Sequence, residues 1–588
     1  MSGPNTVAEV LAGRLQEHGV DVVFGQSLPS QLVLAAEDAG IRQIVYRTEN
    51  AGGAMADGYA RTRRTCGFIM AQNGPAATLL VPPLTEARHA SIAVVALVQG
   101  VPRDHVGRNA FQEIDHRALF SGCAKWFDTL EDGSRAVEML DAAIRAATSG
   151  RPGPAVLMVP KDVLGEPAVR TRLLPHSPAG PIAVPLDRPR PAPSETASAW
   201  EALLIAHRPL IVAGGGAVAS DAGGHLTALA DQTGIPVATT PMGKGVIPDD
   251  HPLAVGVVGN YMGPRAMTHR IRTWLADVDV VLFAGTRTNE NGTDGWTLFP
   301  DDATYLHLDI DPGEIGRNYP VATRLVGDVR AGVEDLLDRA RQDSRSPDPA
   351  ARTEAIRAVA ASRRAFDSSR SHLRRLEHTP LRPETVITTL DELAPDDAVF
   401  VADASYSSIW VGSFLTMPGT GRRTLLPRGM AGLGWGLPLA LGAKAAEPDR
   451  TVVCLTGDGG FAHCWAEVET AVREHLPVVI VVLNNSELGY QKHAELVQFG
   501  RATSAVTLGA VDHAALARAC GARGLTVTTP THLAAALADS LTSTTTTVID
   551  VITDPDAYPP ITGWDTSPEL RTAPPACTAA SSSPSHPE

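Results

Sequence analysis

Two polar clusters stand at the ends of apolar runs within residues 451–490, and together they could hold a hard cation. Val452–Leu455 leads into Gly457-Asp458-Gly459, and Pro477–Leu483 leads into Asn484-Asn485. Ala462–Arg473 between them has helical spacing, so the stretch reads as strand, turn, helix, strand. A βαβ unit places both clusters at the carboxyl ends of parallel strands, where open α/β sheets bind ligands. The flanking glycines let backbone approach a bound group closely. Asp458 and Asn485 then offer a carboxylate and an amide oxygen, a donor set suited to a Mg²⁺ shared with phosphates.

A second chemically loaded residue, Glu49, lies in the stretch VYRTENAGGAMADGYAR. It follows an apolar run and opens a helix rich in small residues (Ala51, Gly52, Gly53, Ala54, Ala56, Gly58), which permits close packing. A carboxylate in so tight a setting requires a partner. The alternative is a helix-start glutamate favoured by the macrodipole.

The spacing of Gly457-Asp458-Gly459 and Asn484-Asn485 resembles the diphosphate signature of thiamine diphosphate (ThDP) enzymes. The surroundings of Glu49 are similar to the acetolactate-synthase-like branch of that family. Val23-Phe24-Gly25 precedes it, then Asn73-Gly74-Pro75-Ala76-Ala77-Thr78, Phe111-Gln112-Glu113, Gly150-Arg151-Pro152-Gly153-Pro154 and Pro160-Lys161-Asp162-Val163 follow in the family's order. The resemblance implies that Glu49 hydrogen-bonds the aminopyrimidine and activates the cofactor. It implies that Asp458, Asn485 and the carbonyl of Glu487 ligate Mg²⁺. Gly457, Gly459, Gly460, Gly489 and Tyr490, with Ser405, Tyr406 and Ser407 after another apolar run, would line the cofactor. Gly432 and Leu433, in the glycine-rich stretch 429–438, match the position that wedges the two rings into a bent conformation. Gln26, Gln72, Gln112 and Tyr490 are the substrate candidates, each of the glutamines being equally a strand-end amide that satisfies loop backbone.

Those residues need sheets to position them. Apolar runs alternate with helical patterns along most of the chain, which predicts an α/β protein of three doubly wound parallel-sheet domains. Residues 1–165 would bind the pyrimidine, 166–193 form a Pro-rich linker, and 194–340 a central α/β domain. Residues 341–380 read as a helical linker, 381–560 as the diphosphate- and Mg-binding domain, and 561–588 as a disordered tail. Relatives of this kind hold FAD in the central domain in a structural role. Gly214, Gly215, Arg287, Asp309 and Asp328 are the positions it would use here. The family's usual Arg-Phe-Asp-Asp-Arg is replaced by Arg287-Thr288-Asn289-Glu290-Asn291, so FAD stays open.

The implied reaction is decarboxylation of a 2-oxo acid followed by addition to a carbonyl acceptor. A simple 2-oxo acid decarboxylase or carbon–carbon lyase is the alternative, although the first domain lacks the His-His pair of one decarboxylase branch. A catalytically silent homologue serving as a binding subunit is the alternative of another class. Because Glu49 and Asp458 fall in different domains, the resemblance implies a homodimer or homotetramer with the site at the subunit boundary. A net charge of −15 argues against a nucleic-acid partner. No apolar run is long enough to span a bilayer, and no secretion signal is visible. Six scattered cysteines without ligand spacing read as buried thiols, with the cytoplasm as the default compartment.

Overall fold

The computed structural model describes residues 5–168, 179–373, 378–419 and 421–564. It contains three six-stranded sheets in chain order, and every pairing within them is parallel. The first comprises β1 (Val22–Gly25), β2 (Arg42–Val45), β3 (Gly67–Ala71), β4 (Val94–Gly100), β5 (Trp126–Thr129) and β6 (Ala155–Pro160), in the order 2-1-3-4-6-5. The second comprises β7 (Pro209–Ala213), β8 (Val237–Thr239), β9 (Ala254–Val257), β10 (Val280–Ala284), β11 (Thr304–Asp309) and β12 (Val321–Val326), in the order 12-11-10-7-8-9. The third comprises β13 (Val399–Ala402), β14 (Arg423–Leu425), β15 (Val452–Gly457), β16 (Val479–Asn484), β17 (Arg523–Val527) and β18 (Thr547–Ile552), in the order 14-13-15-16-18-17.

Central strands such as β4, β7, β10 and β16 are buried along their whole length. Helices on both faces require that, and it is why these strands read as unbroken apolar runs. The strands that the apolar runs do not announce, β5, β9, β12, β14 and β17, all lie at sheet edges, and the three-residue β8 adjoins one of them. An edge strand needs less apolar surface; β12 alternates between buried and exposed positions.

The first and third domains are joined by two helices that touch backbone to backbone. A Cβ on Gly58 of helix Glu49–Arg63 would lie 2.2 Å from the Leu439 carbonyl oxygen. One on Gly442 of helix Gly436–Ala446 would lie 2.0 Å from that of Met55. One apolar cluster, including Met55, Ala56, Leu437 and Ala440, runs through this contact, whereas the central domain has its own core.

Two expectations are corrected. The helix read at Ala462–Arg473 is two helices, Asp458–Ala462 and Glu467–Arg473, separated by a turn. Residues 561–564, read as the start of a disordered tail, are instead packed: Ile561 is buried and Trp564 lies on Tyr406. Residues 565–588, and 169–178 of the Pro-rich linker, lie outside the described residues.

Candidate active site

In the third sheet β15 and β16 are neighbours in register, Gly457 opposite Leu483, so their carboxyl ends release the two polar turns side by side. The Asp458 carboxylate joins them: Oδ1 accepts from Gly459 N at 2.9 Å and Oδ2 from Ser486 N at 2.7 Å. Ser486 adopts a left-handed conformation (φ 56°), which folds residues 485–487 back towards Asp458. Asn485 Oδ1 accepts from Glu487 N at 3.1 Å. The Glu487 side chain turns to Lys492 Nζ, 2.7 Å away, and among the described residues no backbone amide bonds the Glu487 carbonyl oxygen.

Asp458 is buried without a cation partner among the described residues. Burial pushes its pKa up to about 6, with the two amide bonds opposing and Asp550 adding to the rise. Asp550 is itself buried behind the turn, accepting from Asn484 Nδ2 at 2.9 Å and His513 N at 3.1 Å. A Cβ at Gly457 would meet nothing within 4 Å, whereas Gly459 and Gly460 abut Leu488 and Asp403. Open space over Gly457 beside an unneutralised carboxylate fits a bound phosphate and its cation. No group of three His, Cys, Asp or Glu side chains is gathered for a metal among the described residues. The mixed oxygen set of Asp458, Asn485 and the Glu487 carbonyl is the one that fits Mg²⁺.

Asp403, at the end of β13, organises the next wall. Its carboxylate is buried and accepts from Ala404 N (2.8 Å), Gly434 N (3.0 Å), Trp435 N (3.2 Å) and Thr456 Oγ1 (3.1 Å). Burial raises its pKa and these donors oppose the rise. Ser405 follows in a left-handed conformation (φ 63°) at the cap of helix Tyr406–Phe414, and Ser407 is buried within that helix. Tyr406 places its ring 3.2 Å from where a Gly489 Cβ would stand, a point equally close to Asn485 Nδ2. Its hydroxyl lies 2.8 Å from His493 Nδ1 and is engaged there; burial holds the phenol far above its ordinary pKa. Tyr490 and Trp564 pack on the same ring, and Tyr490 remains 40% exposed. His493 is pushed down to about 4 by burial and so is neutral at physiological pH. Gly432 lies under the Trp435 indole, and Leu433, next in the chain, is half-buried.

Glu49 occupies the first position of its helix, capped by Thr48 Oγ1 accepting from Ala51 N at 3.3 Å. Among the described residues its carboxylate has no hydrogen-bond or ion-pair partner, although it is half-buried. The turn before it is held by Glu467 of the third domain, buried, whose Oε1 accepts from Arg47 N at 3.1 Å and Thr48 N at 3.3 Å. Gln26 Nε2 donates to the carbonyls of Tyr46 and Arg47, both at 3.3 Å, so this glutamine supports the turn that carries Glu49. Gln72 and Gln112 are brought together, Nε2 to Oε1, at 2.5 Å. Gln112 is left-handed (φ 64°), and its neighbour Phe111 is 83% exposed.

A separate cavity of about 780 Å³ lies between the central domain and the other two. Gly215, Arg287, Asp309 and Asp328 line it, together with His89 and Arg151. Gly214 does not; it packs on the Gly285 carbonyl. Asp328 is engaged with Arg188 at 3.1 Å, with Ser220 Oγ at 2.7 Å and with Ala331 N at 3.1 Å. Burial pushes Asp309 up to about 7, and burial with nearby Arg151 lowers Arg287, which has no carboxylate within ion-pair distance among the described residues.

The sequence matches three family models in the order of the three sheets. These are the thiamine pyrophosphate enzyme N-terminal TPP-binding domain (residues 5–119), central domain (196–336) and C-terminal TPP-binding domain (403–551). The chain belongs to the thiamine pyrophosphate enzymes. It is 31% identical over 564 residues to a probable acetolactate synthase large subunit of Methanocaldococcus jannaschii, covering 93% of this chain and 92% of that protein. It is 32% identical over 532 residues to an acetolactate synthase of Mycobacterium bovis, covering 88% and 83%. To the acetolactate synthase isozyme 3 large subunit of Escherichia coli K12 it is 30% identical over 557 residues, covering 91% and 92%.

The protein is thus a ThDP-dependent enzyme of the acetolactate-synthase-like type. Sequence reasoning passed over three of its carboxylates: Asp403, Glu467 and Glu86. Each is buried and accepts from the backbone of a loop distant in sequence.

Proposed function

We propose that this enzyme is an Mg²⁺- and ThDP-dependent carboligase that acts on a 2-oxo acid and a second carbonyl compound. The observation carrying the reading is the pairing of Asp458, shared between two turns, with Glu49 at a helix start, neither of them with an ion-pair partner among the described residues. When bound, ThDP supplies a thiazolium carbon that serves as nucleophile and electron sink. Asp458, Asn485 and the Glu487 carbonyl would hold the Mg²⁺ and through it the diphosphate. Leu433 would pack against the cofactor's rings and orient them. Glu49 would hold a proton at the pyrimidine nitrogen, and burial of the site would exclude water. Gln72, Gln112 and Tyr490 would orient the substrates.

The active unit in this reading is a homodimer or homotetramer. Glu49 lacks a partner in its own chain among the described residues, and exposed Phe111 and Met430 (53%) form part of the surface a second copy would cover. The central cavity, with Arg287 beside Arg151 and without an ion-pair partner among the described residues, supports a bound dinucleotide, and FAD is the proposed occupant. Five free cysteines, four of them buried, support a reducing compartment, the cytoplasm. No helix among the described residues is long and apolar enough to cross a membrane.

Purified protein given pyruvate, ThDP and Mg²⁺, with and without an acceptor aldehyde or 2-oxo acid, tests the proposal. Acyloin-type product with acceptor present is expected. Free aldehyde alone would establish the decarboxylase, and no turnover with retained ligand binding would establish the silent homologue.

A further inference from the structure

We propose that Glu86 is a positioning residue for the cofactor pocket, fixing the loop that presents Leu433. The proposal rests on the ThDP reading above. Glu86 lies on helix Val81–Ala90 of the first domain and is 3% exposed. Its carboxylate reaches into the third domain and accepts three consecutive amides. Oε1 takes Gly429 N at 2.8 Å; Oε2 takes Met430 N at 2.5 Å and Ala431 N at 3.2 Å. The fit leaves no space for a side chain: a Cβ on Gly429 would lie 2.5 Å from the Glu86 carbonyl oxygen and 2.9 Å from Ala90 N.

The same helical layer holds the loop a second time. Arg61, paired with Asp57, donates Nη1 to the Leu426 carbonyl at 2.9 Å and has Nη2 3.4 Å from Glu86 Oε1. Beyond Leu433, Asp403 takes over by accepting from Gly434 N and Trp435 N. Gly432 and Leu433 are therefore suspended between two buried carboxylates, one from each domain. Ala431 is held in a left-handed conformation (φ 58°) where the first of these grips ends. A non-glycine residue persists there only where its surroundings over-determine it. A loop ordered merely for packing would not need ionised acceptors for its amides, because a buried carboxylate is costly unless fully bonded. What three amide bonds on one carboxylate supply is a fixed backbone, and the side chain that backbone carries next is Leu433.

Glu86→Gln and Gly429→Ala disturb this grip in different ways. The first removes one acceptor and the charge; the second crowds the loop off the carboxylate without touching any charge. Asp141→Asn is the control, a charge removal in another ion pair of the first domain, with Arg14, that touches neither the loop nor Glu86. ThDP binding in excess Mg²⁺ is followed by calorimetry and by intrinsic tryptophan fluorescence, and the ThDP concentration for half-maximal activity is separated from kcat. Loss of a charge-assisted hydrogen bond predicts ThDP affinity weakened about ten- to hundredfold in both loop variants, with kcat at saturating ThDP reduced far less. Asp141→Asn should change thermal stability with ThDP affinity within about threefold of wild type. Wild-type-like affinity in a folded Glu86→Gln or Gly429→Ala protein overturns the proposal, as does an equal loss in Asp141→Asn. Absence of ThDP uptake by the wild type would overturn the cofactor reading itself, a distinguishable result.

Discussion

Asp458→Asn probes the metal site through stability as well as activity. In the metal-free protein the carboxyl is raised from 3.8 to about 6, chiefly by burial. That rise corresponds to about 3 kcal/mol. The folded-state pKa of this acid lies above its unfolded value. Its penalty is therefore absent below pH 3.8, grows as pH climbs through 6, and is complete at neutral pH. Asparagine removes the penalty but has one acceptor oxygen where the carboxylate serves both Gly459 N and Ser486 N. Leaving one buried amide unpaired costs about 1–3 kcal/mol, so the two effects nearly offset. Metal-free Asp458→Asn should thus be as stable as wild type at pH 7.5 to within about 2 kcal/mol. Mg²⁺ and ThDP at a hundred times their dissociation constant should stabilise the wild type by about 2.7 kcal/mol and the variant by nothing. In a thermal scan with and without both ligands, at pH 5 and pH 7.5, that is a wild-type shift of about 5–10 °C. A metal-free variant destabilised by more than about 3 kcal/mol would show the carboxylate to be a structural acceptor. A variant that still gained from Mg²⁺ and ThDP would refute the ligand assignment.

Glu49→Gln keeps the shape of the helix start but removes the acid. Turnover should fall about 10²–10⁴-fold while calorimetric ThDP affinity stays within about tenfold of wild type. Gly442→Ala places a methyl 2.0 Å from the Met55 carbonyl, so the two crossing helices must part; the melting temperature should drop and first-domain amides should exchange faster. Arg287→Ala withdraws an unpaired cation from the central cavity, and visible flavin absorbance per chain in the purified protein should fall by more than half relative to wild type, with no change in the ThDP dissociation constant.

The sheet interiors were legible because parallel strands buried on both faces leave uninterrupted apolar runs, as at β4 and β16. Edge strands such as β12 and β14 were not, because they are only partly covered and lack that signal. The turn bearing Asp458 and the one bearing Asn485 could be placed together from the βαβ pattern alone, and the structure joins them through Ser486 N. The Gln72–Gln112 bond needed the fold, since the partners are 40 residues apart. Gln26 looked like its two companions in sequence, yet its amide nitrogen is bound to the backbone below Glu49. The Tyr406–His493 pair was invisible for a related reason: stacking and a 2.8 Å contact depend on a helix face that periodicity does not orient. Least accessible were Glu86, Asp403 and Glu467, whose partners are backbone amides. Such partners carry no residue identity, so no spacing rule points to them.

In the proposed oligomer Glu49 of one chain acts on a cofactor held by Asp458 of another, and two inactive variants can test that arrangement together. Co-expressed with different tags, Glu49→Gln and Asp458→Asn chains can be purified as a doubly tagged hetero-oligomer. In a dimer with shared sites, one site then combines both substitutions and the other has neither. The prediction is recovery of about half the wild-type activity in the mixed species, against almost none in either variant alone. A mixed species as inactive as its parents would place Glu49 and Asp458 in the same chain's site and contradict the account.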